Sequence, residues 1–116
     1  MDDGRRIEAT QMSEIERAIE PHARLAVLRH LAEAPGYCLP ILVLRDLLHE
    51  AFMKLSMQRL EAVLEWLGKE QLVHLHRTAG VIGVEVRERG GDVAEGLAIH
   101  EGVARPLPRS GSFINN

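Results

Sequence analysis

The sequence has little cysteine, few aromatic residues and no long apolar run, and each shortage excludes a class of protein. One cysteine, Cys38, cannot form an intramolecular disulfide, which fits a reducing compartment. No stretch approaches eighteen uninterrupted apolar residues, so we expect no membrane-spanning helix. The first residues, MDDGRRIEATQ, contain acids and no apolar centre, which is unlike a secretory signal. These features predict a cytoplasmic protein.

Excess positive charge is also lacking. The formal net charge is −3, and residues 1–20 account for it, with six acids against three arginines. Residues 21–116 hold eleven groups of each sign. Affinity for duplex DNA depends mainly on Lys and Arg side chains that neutralise phosphates. Any binding of DNA must therefore depend on local placement of the bases or on dimerisation.

The chain has none of the sequence patterns of catalysis or of cofactor binding. There is no glycine-rich phosphate loop, no nucleophile paired with a base and no cluster of carboxylates, and Gly90-Gly91 fits a helix start instead. His74 and His76 are two residues apart, so on a strand both rings would share one face. A metal site needs three or four ligands, and no acid or cysteine at an obvious spacing completes this pair. We expect no enzyme activity, no cofactor and no metal site.

What the chain does have is ample apolar content, 46%, arranged at helical spacing. The pattern predicts a short helix over residues 11–20 and a new helix that starts at Pro21 and ends near Ala34. A second helix follows Leu39-Pro40, with apolar positions that include Phe52. Ser56 is a good N-cap for a third helix that ends near Glu70. This helix would bury one face and place Trp66 at the flank, against the following strands; the face comprises Leu60, Val63, Leu64 and Leu67.

Alternation of apolar and polar residues then predicts two strands, over residues 71–77 and 81–87, joined by a tight turn at Thr78-Ala79-Gly80. A weak fourth helix is predicted over residues 88–99, burying Val93 and Leu97. The resulting organisation is an acidic N-terminal segment (1–20), a folded domain (21–100) and an extended tail (101–116). The predicted fold class is α+β, mainly α: a winged helix-turn-helix, with a three-helix core, a two-stranded β-hairpin wing and additional terminal helices.

Four stretches carry a family resemblance: LAVLRHLAEAPGY (25–37), LEWL followed after three residues by QLV (64–73), VRERGGDVAEG (86–96) and GVARPLP (102–108). Through them the chain resembles a family of small winged-helix proteins of Mu-like phages and prophages, whose members are labelled ArsR-like regulators or phage proteins of unknown function. The family opens the helix after the hairpin with Thr, where Arg87 stands here. The resemblance implies a phage protein in the cytoplasm of a bacterial host.

In this arrangement the third helix and the hairpin would contact duplex DNA. Gln58 and Arg59 are residue types that read adenine and guanine, and Arg77 could reach the backbone or minor groove. The complete set of expected contacts is Lys54, Ser56, Gln58, Arg59, Lys69 and Arg77. Acids at Glu61, Glu65 and Glu70 on the same helix favour the alternative of a protein–protein interaction module without DNA binding.

The terminal segments predict a homodimer. Met12, Ile15 and Ile19 near the N-terminus and the stretch 93–103 offer apolar positions that a domain this small cannot easily bury alone. No small-molecule ligand can be identified from the sequence.

Overall fold

The structure, a computed structural model, describes residues 13–107. In chain order its elements are α1 (Glu14–Glu33), a 3₁₀ turn (Pro35–Tyr37), β1 (Cys38–Pro40), α2 (Ile41–Glu50), α3 (Met57–Lys69), β2 (Val73–Thr78), β3 (Val81–Val86) and α4 (Glu88–Ala94). The described part is therefore α+β and mainly helical, as predicted.

Helix α1 is one 20-residue rod, and the predicted break at Pro21 is wrong. Ser13 caps it through a capping box, in which its hydroxyl accepts from the Glu16 N–H and the Glu16 carboxylate accepts from the Ser13 N–H. A proline inside a helix costs about 3 kcal/mol. The helix nevertheless continues through Pro21: its buried residues all follow the proline, and Glu16 and Glu20 before it pair with Arg59 of α3. The predicted boundary between the N-terminal segment (1–20) and the folded domain (21–100) therefore falls inside a helix. Gln11 and Met12, the first residues of the predicted short helix, lie outside the described residues.

The residues before α2 form a strand that was not predicted from the sequence. Cys38–Pro40 pairs antiparallel with β3, with Leu39 opposite Val84. Helix α2 buries Ile41, Leu44 and Leu48, and it ends at Glu50. The prediction that Phe52 is an apolar position of this helix is wrong, since Phe52 is 92% exposed and adopts a left-handed conformation (φ 66°) just past the helix end.

Helix α3 follows the prediction closely. The Ser56 hydroxyl accepts from the Arg59 N–H at 3.1 Å, which caps the first turn. The predicted apolar face is confirmed as buried, with Leu60, Val63, Leu64 and Leu67 all in the core.

The hairpin is also confirmed. The three strands lie in the order β1-β3-β2, and β2 pairs antiparallel with β3. The turn residues Ala79 and Gly80 both have positive φ (51° and 78°), the conformation of a type I′ turn. Val73 and Val84 lie in the core, whereas His74 and His76 are exposed. The sheet packs against α1, and β2 packs against α3.

Helix α4 is shorter than predicted, and Arg87 at its N-cap makes no side-chain hydrogen bond to the helix. Val93 is buried as expected. The expected burial of Leu97 is wrong, since Leu97 lies beyond the helix end and is 74% exposed. The segment after α4 returns to α1: Val103 is buried, and the Ala104 N–H donates to the Pro21 carbonyl at 3.1 Å.

The core is one cluster in which α1 contacts every other helix and the sheet. Among the helices within residues 13–107, none has the length and apolarity that crossing a membrane requires.

Two adjacent glycines in α4 give a test of this packing. A Cβ at Gly90 would overlap the Leu72 carbonyl oxygen and stand 2.8 Å from Val86 Cγ2, whereas at Gly91 it would meet nothing within 4 Å. We expect Gly90→Ala to lower the free energy of unfolding by about 2 kcal/mol or more. Gly91→Ala should raise it by about 0.5 kcal/mol, since alanine favours the helix. Urea denaturation measures both, and equal stability of the two variants would contradict the close approach of Gly90 to Leu72 and Val86.

Candidate nucleic-acid interface

The N-terminal end of α3 is open to solvent. Lys54, Ser56 and Gln58 are all exposed and follow one another within five residues, at the entry to the helix. The Ser56 hydroxyl oxygen accepts the capping bond, but its own hydrogen remains available to a phosphate. These three predicted contacts therefore lie together on one accessible end of the helix.

Arg59, the fourth predicted contact, points to a different partner. Its guanidinium donates to the Glu16 carboxylate at 3.0 Å and to the Glu20 carboxylate at 3.1 Å, both on α1. We call this arrangement of Glu16, Glu20 and Arg59 the acidic clamp. Arg59 is only 30% exposed, and both of its terminal nitrogens are engaged. It is therefore not free, in this structure, to read a guanine.

The clamp continues into a second cationic group. Glu20 also accepts from Arg24 at 2.8 Å, and the Arg24 guanidinium lies 3.9 Å from the centre of the Trp66 ring. Arg24 donates further to the Gly102 carbonyl at 2.8 Å. Because Trp66 stacks on Arg24 and meets His100 edge-on, it covers the seam between α3, α1 and the C-terminal segment. These contacts are with α1 and the C-terminal segment, whereas the sequence predicted contact with the hairpin strands.

The hairpin stands beside the exposed face of α3. The Arg77 guanidinium donates to the Glu65 carboxylate at 2.6 Å, and both side chains are more than half exposed. An ion pair between two such exposed groups contributes about 0.5 kcal/mol and is screened by salt, so Arg77 can exchange Glu65 for another anion. The contact shows that the end of β2 and the middle of α3 present side chains to the same side.

Lys69, the last predicted contact, is exposed but lies at the far end of α3. It is about 16 Å along the helix axis from Gln58. The structure thus brings Lys54, Ser56 and Gln58 together, diverts Arg59 to α1, pairs Arg77 with Glu65 and leaves Lys69 apart. Sequence reasoning missed Glu16 and Glu20 as partners of Arg59, because residues 39 and 43 positions apart share no periodic signal.

The histidines of β2 are brought close to an acid that the sequence reading did not place. The rings of His74 and His76 are 4.4 Å apart between centroids, and His76 Nε2 lies 2.8 Å from Glu85 Oε1 across the hairpin. The antiparallel register, which sets His74 opposite Glu85, is the signal that could have found this contact. Even so, residues 13–107 contain no group of three or more His, Cys, Asp or Glu side chains placed to hold a metal ion.

Comparison with known proteins places the chain in a phage family. It is 34% identical over 87 residues to the Uncharacterized protein gp26 of Escherichia phage Mu, an alignment that covers 75% of this chain and 90% of the Mu protein. The chain therefore belongs to the family of Mu-like phage proteins that includes gp26. No protein-family model matches the sequence, and no solved structure matches the chain.

The different surroundings of the two arginines predict different effects on stability. Arg24 is 16% exposed, stacks on Trp66 and makes two hydrogen bonds, so Arg24→Ala should cost about 2 kcal/mol. Arg59→Ala removes only partly exposed ion pairs and should cost about 0.5 kcal/mol. Urea denaturation followed by Trp66 fluorescence checks both values. A loss on Arg59→Ala as large as that on Arg24→Ala would contradict this ranking.

Proposed function

We propose that this Mu-family phage protein is a winged-helix protein that binds duplex DNA as a dimer, in the manner of a transcriptional regulator. The α1, α2 and α3 helices followed by a β2–β3 hairpin are the elements of that fold. The observation that carries the proposal is the Arg77–Glu65 contact, because it places the hairpin beside the polar face of α3. Both elements can then approach the same partner, as a recognition helix and its wing do.

The contacts we assign to DNA are Lys54, Ser56 and Gln58 at the helix entry, with Arg77 on the hairpin. Lys54 and Ser56 would bind phosphate, and Gln58 can form paired hydrogen bonds with adenine in the major groove. Arg77 would leave Glu65 for the DNA backbone. Lys69 is too distant from the helix entry to share a base contact with Gln58, so we assign it at most to a flanking phosphate.

The acidic clamp sets how strongly this surface can bind. Glu16 and Glu20 lie beside the helix entry and neutralise Arg59, so their charge opposes phosphates while they remain in place. Release of Arg59 would add a side chain that can read a base and would separate it from the negative charges of Glu16 and Glu20. We infer that Arg59 contacts DNA only when its ion pairs with these two residues of α1 are broken.

Dimerisation would double the contacts of each protomer. Ile15 on α1 is 71% exposed, and Leu97 and Ile99 after α4 are also exposed, so these positions can meet a second copy. Val93 and Val103, which the sequence placed in the same terminal interface, are instead buried within the protomer. The interface we propose is therefore limited to the exposed members of both segments.

A specific observation favours a second function, a protein-binding module. The exposed side of α3 carries Glu61 and Glu65, its C-cap is Glu70, and α1 adds the two acids of the clamp. A partner protein with a basic surface would match this face better than a phosphate backbone would. The two functions differ in their response to DNA at low salt.

Salt dependence of DNA binding tests the proposal. We expect the full-length protein to bind a 30-base-pair duplex at 50 mM NaCl, with a dissociation constant that rises at least about tenfold at 200 mM because counterions are released. Lys54→Ala should reduce the slope of log affinity against log salt by about 1. Arg89→Ala, which removes the same charge from α4, should leave the slope unchanged. Fluorescence anisotropy with labelled duplex measures it, and no binding at 50 mM would favour the protein-binding module.

Removal of one clamp charge tests the role of the acids. Glu16→Gln keeps the capping-box acceptor at the start of α1 and removes the negative charge beside Arg59. We expect it to strengthen duplex binding about two- to fourfold, since the ion pair is partly exposed. Glu95→Gln serves as the matched control for loss of an acid elsewhere. An equal gain in both variants would show that only net charge matters and that the clamp has no specific effect.

A further inference from the structure

A groove runs along the face of α1 that is turned away from α3. It has a volume of about 460 Å³ and lies between α1, Met53 after α2, and the C-terminal segment that includes Arg105 and Leu107. Volumes of a few hundred Å³ are typical of sites for small molecules. Residues 22, 26, 29 and 33 line it at a spacing of three and four, whereas the clamp residues 16 and 20 project elsewhere around the helix. The groove is therefore separate from the surface assigned to DNA.

The charged side chains of the groove are two arginines, Arg29 and Arg105, against one carboxylate, Glu33. Two histidines, His22 and His30, also line it. The cluster stands out because the whole chain carries a net charge of −3. Within residues 13–107 neither arginine is in an ion pair, in contrast to Arg24 on the other side of α1. A guanidinium fork binds carboxylate or phosphate with two parallel hydrogen bonds.

The rest of the lining is apolar. Leu25, Ala26, Met53 and Leu107 contribute it, and Leu107 is largely exposed at the rim. A simple inorganic anion would satisfy the arginines but leave this apolar surface in water. A ligand with an apolar body would cover it and gain the free energy of removing apolar area from water.

We propose that this groove binds a small amphiphilic anion: a carboxylate or phosphate monoester group carried on an apolar body. The anionic group lies between Arg29 and Arg105, and the apolar body lies on Leu25 and Met53. The ligand is a free molecule of that chemistry and not a bilayer, because the arginines line a concave groove with a mixed apolar wall. The site does not depend on whether α3 binds DNA.

Calorimetric titration of the full-length protein with octyl phosphate, below its critical micelle concentration, tests the proposal. We expect saturable one-to-one binding, with inorganic phosphate and 1-octanol each at least about tenfold weaker, because each supplies only half of the contacts. Arg29→Gln together with Arg105→Gln should weaken octyl phosphate binding by at least about tenfold. Arg89→Gln, a cation lost from α4, should have no effect, and circular dichroism would establish that every variant is folded.

Three results would overturn the proposal. Octyl phosphate and 1-octanol could bind equally, which would make the arginines irrelevant. The double variant could bind as tightly as Arg89→Gln, which would place the anion elsewhere. Finally, the protein could sediment with anionic phospholipid vesicles while failing to bind monomeric octyl phosphate, which would assign the surface to a membrane.

Amide chemical shifts provide a second measurement, and changes outside residues 22–33, 53 and 103–107 would also contradict the site.

Discussion

The Glu20 carboxylate lies at the seam between α1 and α3, at the edge of the buried core. One of its oxygens accepts from Arg24, one turn further along α1, and the other accepts from Arg59 of α3, so this side chain links the two helices. Trp66 closes the same seam from the side of α3 by stacking on Arg24. The buried row of α1, with Val27, Leu28 and Leu31, then supports the sheet and the remaining helices. The face of α3 that points away from this core remains exposed to solvent.

The same seam sets the charge beside the N-terminal end of α3. The acids near the N-terminus are not a remote tail, because α1 extends continuously from Glu14 and carries two of them to Arg59. The helix therefore stabilises the fold and, at the same place, opposes a polyanionic partner. Under the proposed function, binding of DNA would be weak until the acids move or a second protomer adds its own basic side chains.

Local patterns were enough to predict most of the elements. The apolar spacing of α3, its Ser56 cap and the alternation in β2 and β3 are short-range signals, and all three are confirmed. The errors arise where tertiary contacts override local preference. Pro21 should end a helix, yet α1 continues through it, with ion pairs to Arg59 before the proline and buried residues after it. Strand β1 is too short to give a strand pattern without its partner β3.

The candidate site could be predicted only in part for the same reason. Residue type and position on α3 identified Lys54 and Gln58 as exposed, but the engagement of Arg59 depends on residues far away in sequence. The groove on α1 could not be predicted from the sequence either, because three separate segments of the chain form it.

Nuclear magnetic resonance can show whether, and with which surface, the protein binds a duplex. On titration with a 20-base-pair duplex at low salt, we expect amide shift changes concentrated in residues 54–62 and 76–80, the entry of α3 and the tip of the hairpin. Changes confined to other surfaces, or the absence of any change at low salt, would contradict it.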